Sequence, residues 1–201
     1  MFGKIFDFFS ESSKKESEPA REFTSQEDVL RQVTPEPGEK GICTQMANLF
    51  TKYQIDGCDS ATPDFLKGTP QEIYDAVLKE RRHEEELFKA GKDGLHSAFV
   101  DSNSTFFVST DTVKTSDLTD ESITRLVADS RPNHIVTYPI KDEPSSQHTV
   151  AFGKTQDGQC YEFSANSTPK KHSCDSFKAL VKELREIGDP DKPVIIATRY
   201  K

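Results

Sequence analysis

The sequence predicts an α+β fold, with helices first along the chain and a mostly antiparallel sheet after them. Apolar residues recur at helical spacing over residues 42–53, whereas residues 148–154 and 159–165 have the composition and length of strands. A short turn at residues 156–158, ending in glycine, separates these two strands and predicts an antiparallel hairpin. Helices followed by strands, with one more helix before the last strand, are typical of the α+β class.

Length and composition predict one folded domain behind an N-terminal tail. The chain has 201 residues, of which 33% are hydrophobic and 30% charged, a polar balance that still permits a modest core. Residues 11–28 are rich in Ser, Glu and Lys, so we expect a tethered tail over residues 1–24 and a domain over residues 25–201. Four phenylalanines in the first ten residues are a candidate for weak contact with a membrane or a partner.

The charge of the chain argues against nucleic acid as its main ligand. The net charge is −8, whereas binding to a phosphate backbone needs a basic surface. No apolar run is long enough to cross a bilayer, and the N-terminal segment is too short and too charged for a secretory signal.

Cap residues predict where the later helices begin and end. Thr69 is followed by Pro70 and then by Glu72, and these residues suit a capping box at the start of a helix. Thr119 is the expected cap of the next helix, and a last helix over residues 177–187 should end at glycine. The remaining strands are expected over residues 105–109, 134–140 and 194–200.

Cys43 is the candidate nucleophile. We expect it in the first turn of the helix over residues 42–53, where unpaired backbone N–H groups and the helix dipole favour a thiolate. The same N–H groups can hold the oxyanion of a tetrahedral intermediate. The alternative is that Cys43 is a small buried hydrophobic residue of the core.

His148 is the candidate general base, because it opens the first strand of the hairpin beside a polar face of the second. Alternation puts Glu162, Ser164 and Asn166 on one face of that second strand. A three-residue loop places Asn166 opposite His148, and a slip of two residues places Ser164 there instead. An acceptor at this position can orient the imidazole of a catalytic histidine.

These residues resemble the YopT/AvrPphB-type cysteine proteases, papain-like effectors that bacteria deliver into host cells. The resemblance rests on Gly41-Ile42-Cys43 and on residues 148–152 and 161–166, and it extends over roughly residues 38–200. It implies a papain-like fold, with the catalytic cysteine at a helix N-terminus and N-terminal helices packed on the sheet.

The chain departs from this family at two positions. The family has an aspartate where this chain has Ser164, so Asn166, Ser164 and Glu162 all stay open as the residue that orients His148. Papain-like enzymes also place a Gln or Asn shortly before the cysteine, whereas residues 36–42 contain neither. A distant residue would have to supply this side chain, since Gln45 follows the cysteine and should point elsewhere.

The resemblance implies a cysteine hydrolase, most simply a protease, with Cys43, His148 and either Asn166 or Ser164 as its catalytic residues. It implies a monomer without cofactor or metal that acts on a host protein, after secretion into the host cytoplasm without a cleavable signal peptide. The same Cys–His pair also suits glutamine deamidation or transglutamination. The departure at Ser164 leaves open an impaired papain-like module that only binds a partner.

The four cysteines show no Cys-x-x-Cys pair and no dense framework. We therefore expect free thiols in a reducing compartment. His172 and Cys174, together with Cys160, do not match a structural zinc site in ligand number or spacing.

Overall fold

Residues just before the predicted domain boundary at residue 25 already pack against the rest of the domain. The computed structural model describes residues 22–39, 41–57, 60–91, 97, 107–128 and 133–200. The Phe-rich tip and Cys58 lie outside these residues. Thr24 is buried, and its backbone N–H donates to the Leu66 carbonyl at 2.9 Å, so this residue of the predicted tail belongs to the packed structure. Within the described residues, no helix has the length and apolarity needed to cross a membrane.

The helices follow the capping pattern of the sequence. They are α1 (Gln26–Gln32), α2 (Cys43–Ile55), α3 (Pro70–Lys89), α4 (Asp120–Ala128) and α5 (Lys178–Ile187). The predicted capping box of α3 is present, because the Thr69 side chain accepts from the backbone N–H of Glu72 and the Glu72 carboxylate accepts from that of Thr69. The short α1 was not predicted, since it has Val29 as its single buried residue and shows no apolar periodicity.

The strands form one antiparallel sheet, which confirms the α+β class. They are β1 (Phe107–Lys114), β2 (Asn133–Ile140), β3 (Glu143–Lys154), β4 (Cys160–Ser164), β5 (Ser167–His172) and β6 (Pro193–Tyr200). Their order across the sheet is β1-β6-β2-β3-β4-β5, with every neighbouring pair antiparallel. β5 was not predicted, because it contains two lysines and a proline and has only one buried residue.

Helices cover both faces of the sheet. Side chains alternate along each strand, so Ile135 of β2 packs with α1, α2 and α3, whereas its neighbour Val136 packs with α4 and α5. The first layer includes a stacked pair, Phe50 of α2 on Phe163 of β4, with ring centroids 4.4 Å apart. This arrangement brings α2 onto one face of β3 and α5 toward the other.

The hairpin of β3 and β4 has the predicted turn, and β4 pairs with only the last part of β3. The backbone N–H of Thr155 donates to the Gln159 carbonyl at 2.8 Å, and Gly158 takes the positive φ that the turn requires. β4 ends at Ser164, opposite Val150. His148 therefore lies just beyond the end of β4, where groups from both helical layers can approach it.

The prediction of free thiols is wrong for two of the cysteines. Cys160, at the start of β4, forms a disulfide with Cys174, in the segment that leads to α5. The pairing of β4 with β5 brings the two residues together, since Cys160 lies opposite His172. Cys43 is free and buried. No group of three or more His, Cys, Asp or Glu residues in the described part of the chain could hold a metal ion.

Candidate active site

Cys43 is the first residue of α2, as the sequence predicted. Ile42 precedes it in a non-helical conformation and supplies no side-chain cap, so the N–H groups of the first turn are not capped by it. The thiol is only 8% exposed and packs among the residues of the first helical layer. Burial of this kind fits a core residue as well as a nucleophile, so its neighbours decide what it can do.

The loop before Cys43 is fixed to α3. The Tyr74 hydroxyl accepts from the backbone N–H of Glu36 at 2.9 Å and donates to the Glu39 carboxylate at 2.6 Å. Arg81, two turns further along α3, forms ion pairs with both glutamates. These contacts hold the irregular approach to α2 in place.

His148 is almost fully buried beside Cys43. Its ring packs edge-on against Tyr138, the residue opposite it on β2, with ring centroids 5.6 Å apart. The imidazole lies within hydrogen-bonding reach of the Cys43 thiol, which lowers the pKa of the thiol and raises that of the imidazole. The structure thus brings the predicted nucleophile and base side by side.

The other side of the imidazole faces Ser164 and a carboxylate from α5. His148 Nε2 lies 3.1 Å from Ser164 Oγ and 3.2 Å from Glu183 Oε1. The Ser164 hydroxyl donates to the same carboxylate oxygen at 2.8 Å, and the Tyr138 hydroxyl is 3.4 Å from it. Glu183 therefore has the contacts expected of the residue that orients a catalytic histidine.

The charges of these groups support one another. Burial alone would raise the pKa of Cys43, but the hydrogen bond and positive charge of His148 outweigh it and lower that pKa. Burial would likewise lower the pKa of His148, yet its contacts with Cys43 and Glu183 raise it to about 9. The pKa of Glu183 is lowered, because His148 and Ser164 outweigh the effect of burial. The site therefore favours a thiolate–imidazolium pair beside an ionised carboxylate.

Thr149 connects the start of α2 to the sheet. Its backbone and side chain both hydrogen-bond to Cys43, which further lowers the pKa of the thiol. Its hydroxyl lies 2.8 Å from that of Thr44 on α2 and 3.1 Å from that of Thr137 on β2. A chain of three threonines thus ties the first turn of α2 to the two central strands.

The structure does not place Asn166 on the imidazole. β4 ends before Asn166, which lies in the turn to β5 and accepts a hydrogen bond from Gln26 at 2.8 Å. Glu162 points to His172 instead, with 3.2 Å between its carboxylate and the ring Nε2. The predicted register of β3 with β4 was correct, but β4 ends at Ser164, before it reaches the position opposite His148.

Gln45 lies away from the thiol, as expected. Its side-chain amide donates to Glu84 of α3 at 2.7 Å, and Asn48 donates to the other oxygen of the same carboxylate at 2.7 Å. This cluster of Gln45, Asn48 and Glu84 is buried between α2 and α3.

The sequence analysis did not identify Glu183. It lies on the flank of the apolar stripe of α5, between Val181 and Leu184, where an acidic residue has the same local pattern as the exposed Glu186. The contact of Glu183 with Ser164 spans 19 residues and depends on how α5 packs over β4. Because the chain lacks the family's aspartate, an acidic residue beside the apolar stripe of α5 could have been considered as its replacement.

Comparison with known proteins shows a shared fold. No protein-family model matches the chain, and no curated protein sequence matches it. Among solved structures, the chain is similar to the crystal structure of the Pseudomonas avirulence protein AvrPphB, with a TM-score of 0.52 and 14% sequence identity. The match covers 80% of this chain and 92% of that one. AvrPphB is one of the two proteins that give their names to the family that the sequence motifs resemble.

Proposed function

We propose that this chain is a cysteine protease of papain-like fold that acts on a host protein as a secreted bacterial effector. The observation that carries the proposal is a buried thiol hydrogen-bonded to an imidazole whose Nε2 contacts a carboxylate. The likeness of fold to an avirulence protein supports the effector role. Delivery to the host cytoplasm and action as a monomer belong to the same proposal.

Cys43 acts as the nucleophile in this proposal. Its thiolate attacks the carbonyl carbon of the scissile amide, and the unpaired N–H groups at the start of α2 hold the oxyanion that forms. His148 Nδ1 then donates its proton to the leaving amine, since Nε2 faces Ser164 and Glu183. The products are a free amine and a thioester between the substrate acyl group and Cys43.

His148 serves as the base in the second half of the reaction. It takes a proton from water, and the resulting hydroxide attacks the thioester and releases a carboxylic acid and the free thiol. Glu183 holds the ring in one orientation and stabilises its positive charge. Ser164 replaces the family's aspartate in sequence, and it supports the carboxylate by donating a hydrogen bond to it.

Glu183 weakens the alternative of an impaired module that only binds a partner. That alternative rested on the absence of the family's aspartate at Ser164. In the structure, however, the Glu183 carboxylate from α5 lies 3.2 Å from the imidazole. Deamidation and transglutamination remain as different fates of the same thioester, because water and amines attack it alike.

Mass spectrometry of candidate host substrates treated with the protein tests the proposal. A cut chain supports it, whereas a mass gain of about 1 Da or a crosslink would assign glutamine chemistry instead. Cys43→Ala should lower activity by more than about a thousandfold, because no other described residue can form the thioester. The same variant should change the free energy of unfolding by only about 1 kcal/mol, since one buried sulfur is lost. An active Cys43→Ala protein would contradict the proposal.

A further inference from the structure

Gln26 joins three segments that are far apart in the sequence. Its backbone N–H donates to the Ala165 carbonyl at 2.8 Å, and its side-chain Nε2 donates to Asn166 Oδ1 at 2.8 Å. Its Oε1 accepts from the backbone N–H of Ile42 at 3.2 Å. One residue of α1 thus bonds both to the turn after β4 and to the residue immediately before Cys43.

Both ends of this bridge adjoin the candidate active site. Ile42 is fully buried, and its conformation sets the direction in which α2 and Cys43 begin. The turn at the other end directly follows Ser164, which lies 3.1 Å from His148 Nε2. Gln26 therefore spans from the nucleophile's side of the site to the side that holds the base.

The orientation of the Gln26 amide is fixed by its partners. A backbone N–H can only donate, so the carbonyl oxygen must face Ile42, and the amino group is left for the Asn166 oxygen. The side chain is neutral and brings no negative charge toward the thiolate. A carboxylate in its place would raise the pKa of a nearby thiol.

We propose that Gln26 is a positioning residue, which holds Ile42, and with it Cys43, in register with His148, Ser164 and Glu183. This inference rests on the proposed function, because it assumes that Cys43 reacts with the help of His148. Gln26 acts through the backbone of Ile42 and does not touch the reacting atoms. Helix α1 then contributes to catalysis through Gln26, although no apolar periodicity in the sequence indicates this helix.

The test measures how fast iodoacetamide alkylates Cys43 at different pH values in the full-length chain, with peptide-resolved mass spectrometry to separate Cys43 from Cys58. Gln26→Met keeps the length of the side chain and removes both of its hydrogen bonds. Gln32→Met is the matched control, because Gln32 is exposed and its side-chain amide donates only within α1, to the Asp28 carbonyl. Alkylation forms no oxyanion, so a residue that only binds the oxyanion would not change this profile.

We expect Gln26→Met to shift the midpoint of the alkylation profile upward by about one pH unit and to slow labelling at pH 7 about tenfold, because the thiolate loses its alignment with the imidazolium. Gln32→Met should match the wild type. Asn166→Ala, which removes only one of the bonds, should shift the midpoint less and in the same direction. This milder variant also tests the proposal if Gln26→Met does not fold.

Two results would overturn different claims. A wild-type profile centred near the ordinary thiol pKa would count against the proposed function itself. A lowered wild-type midpoint that neither Gln26→Met nor Asn166→Ala changes would leave the protease proposal intact and refute the positioning role. A loss of substrate cleavage in Gln26→Met with an unchanged alkylation profile would refute it too, and would assign Gln26 to oxyanion binding.

Discussion

Two glutamates, the half-buried Glu183 and the buried Glu84, lie in two different polar clusters, and their pKa values shift in opposite directions. Glu183 of α5 contacts His148 and Ser164 at the candidate active site. Glu84 of α3 receives hydrogen bonds from Gln45 and Asn48 on α2. The pKa of Glu183 is lowered, whereas that of Glu84 is raised to about 7.

The difference comes from the charge of the partners. Burial acts in the same direction on both carboxyls and favours the neutral form. Glu183 has an imidazolium beside it, and this charge outweighs burial. Glu84 has two neutral amides, and the negative charge of Glu80 opposes the weaker help from Arg81. Two hydrogen bonds without a cation are therefore not enough to keep a buried carboxyl ionised.

The two clusters also differ in how their charges are coupled. At the candidate active site, the charges of Cys43, His148 and Glu183 depend on one another, so removal of one changes the protonation of the rest. The cluster of Gln45, Asn48 and Glu84 joins two helices and titrates near neutral pH. We expect substitutions in the first cluster to affect activity and those in the second to affect stability.

The largest effect is expected for Glu183→Gln. The variant keeps the shape of the side chain but removes the anion that stabilises the imidazolium, so kcat/KM should fall by about a thousandfold. Glu186→Gln on the same helix, whose partner is the exposed Lys182, should leave kcat/KM within about threefold. Rates with a peptide substrate, or with an acylating thiol probe, provide the measurement. Equal rates in the two variants would mean that Glu183 has no part in catalysis.

Glu84→Gln should make stability less dependent on pH. The folded-state pKa of about 7 lies above the ordinary 4.5, so the folded protein binds more protons than the unfolded chain between these values. Stability from this group is complete below pH 4.5 and is lost as pH rises through 7. At pH 8 the loss amounts to about 3 kcal/mol, which the neutral glutamine should avoid.

Urea unfolding at pH 4.5 and pH 8 measures this difference. Glu84→Gln should exceed the wild type in free energy of unfolding at pH 8 and match it at pH 4.5. Glu85→Gln, an exposed neighbour on α3, is the control and should follow the wild type at both pH values. A gain in Glu84→Gln that is the same at both pH values would show that Glu84 does not titrate in this range.

The smallest of the three effects is expected for Ser164→Ala. The hydroxyl bridges His148 and Glu183, but the direct contact between these two residues remains at 3.2 Å without it. We expect kcat/KM to fall about tenfold, which corresponds to roughly 1.4 kcal/mol. Ser167→Ala, across the turn, should have no effect. A loss as large as that of Glu183→Gln would mean that Ser164 itself orients His148.

Local patterns predicted much of the fold because they report local interactions. The capping box at Thr69 and the turn before Gln159 involve residues within a few positions of each other, and both are present. β5 and α1 were missed because tertiary packing, rather than apolar periodicity, stabilises them. The disulfide of Cys160 with Cys174 was missed because it depends on the register of β4 with β5.

The sequence by itself identified Cys43 and His148 as the pair to examine and fixed the α+β class. The patterns that predicted a helix start at Cys43 and a strand start at His148 lie within ten residues of each. The helix does start at Cys43, whereas β3 starts earlier, at Glu143, so His148 lies inside the strand. Only the tertiary structure decided that Glu183 replaces Asn166 beside the imidazole and that Gln26 reaches Ile42. These contacts join segments that are far apart in the sequence, and their geometry follows from how whole layers pack, which no local pattern of side chains encodes.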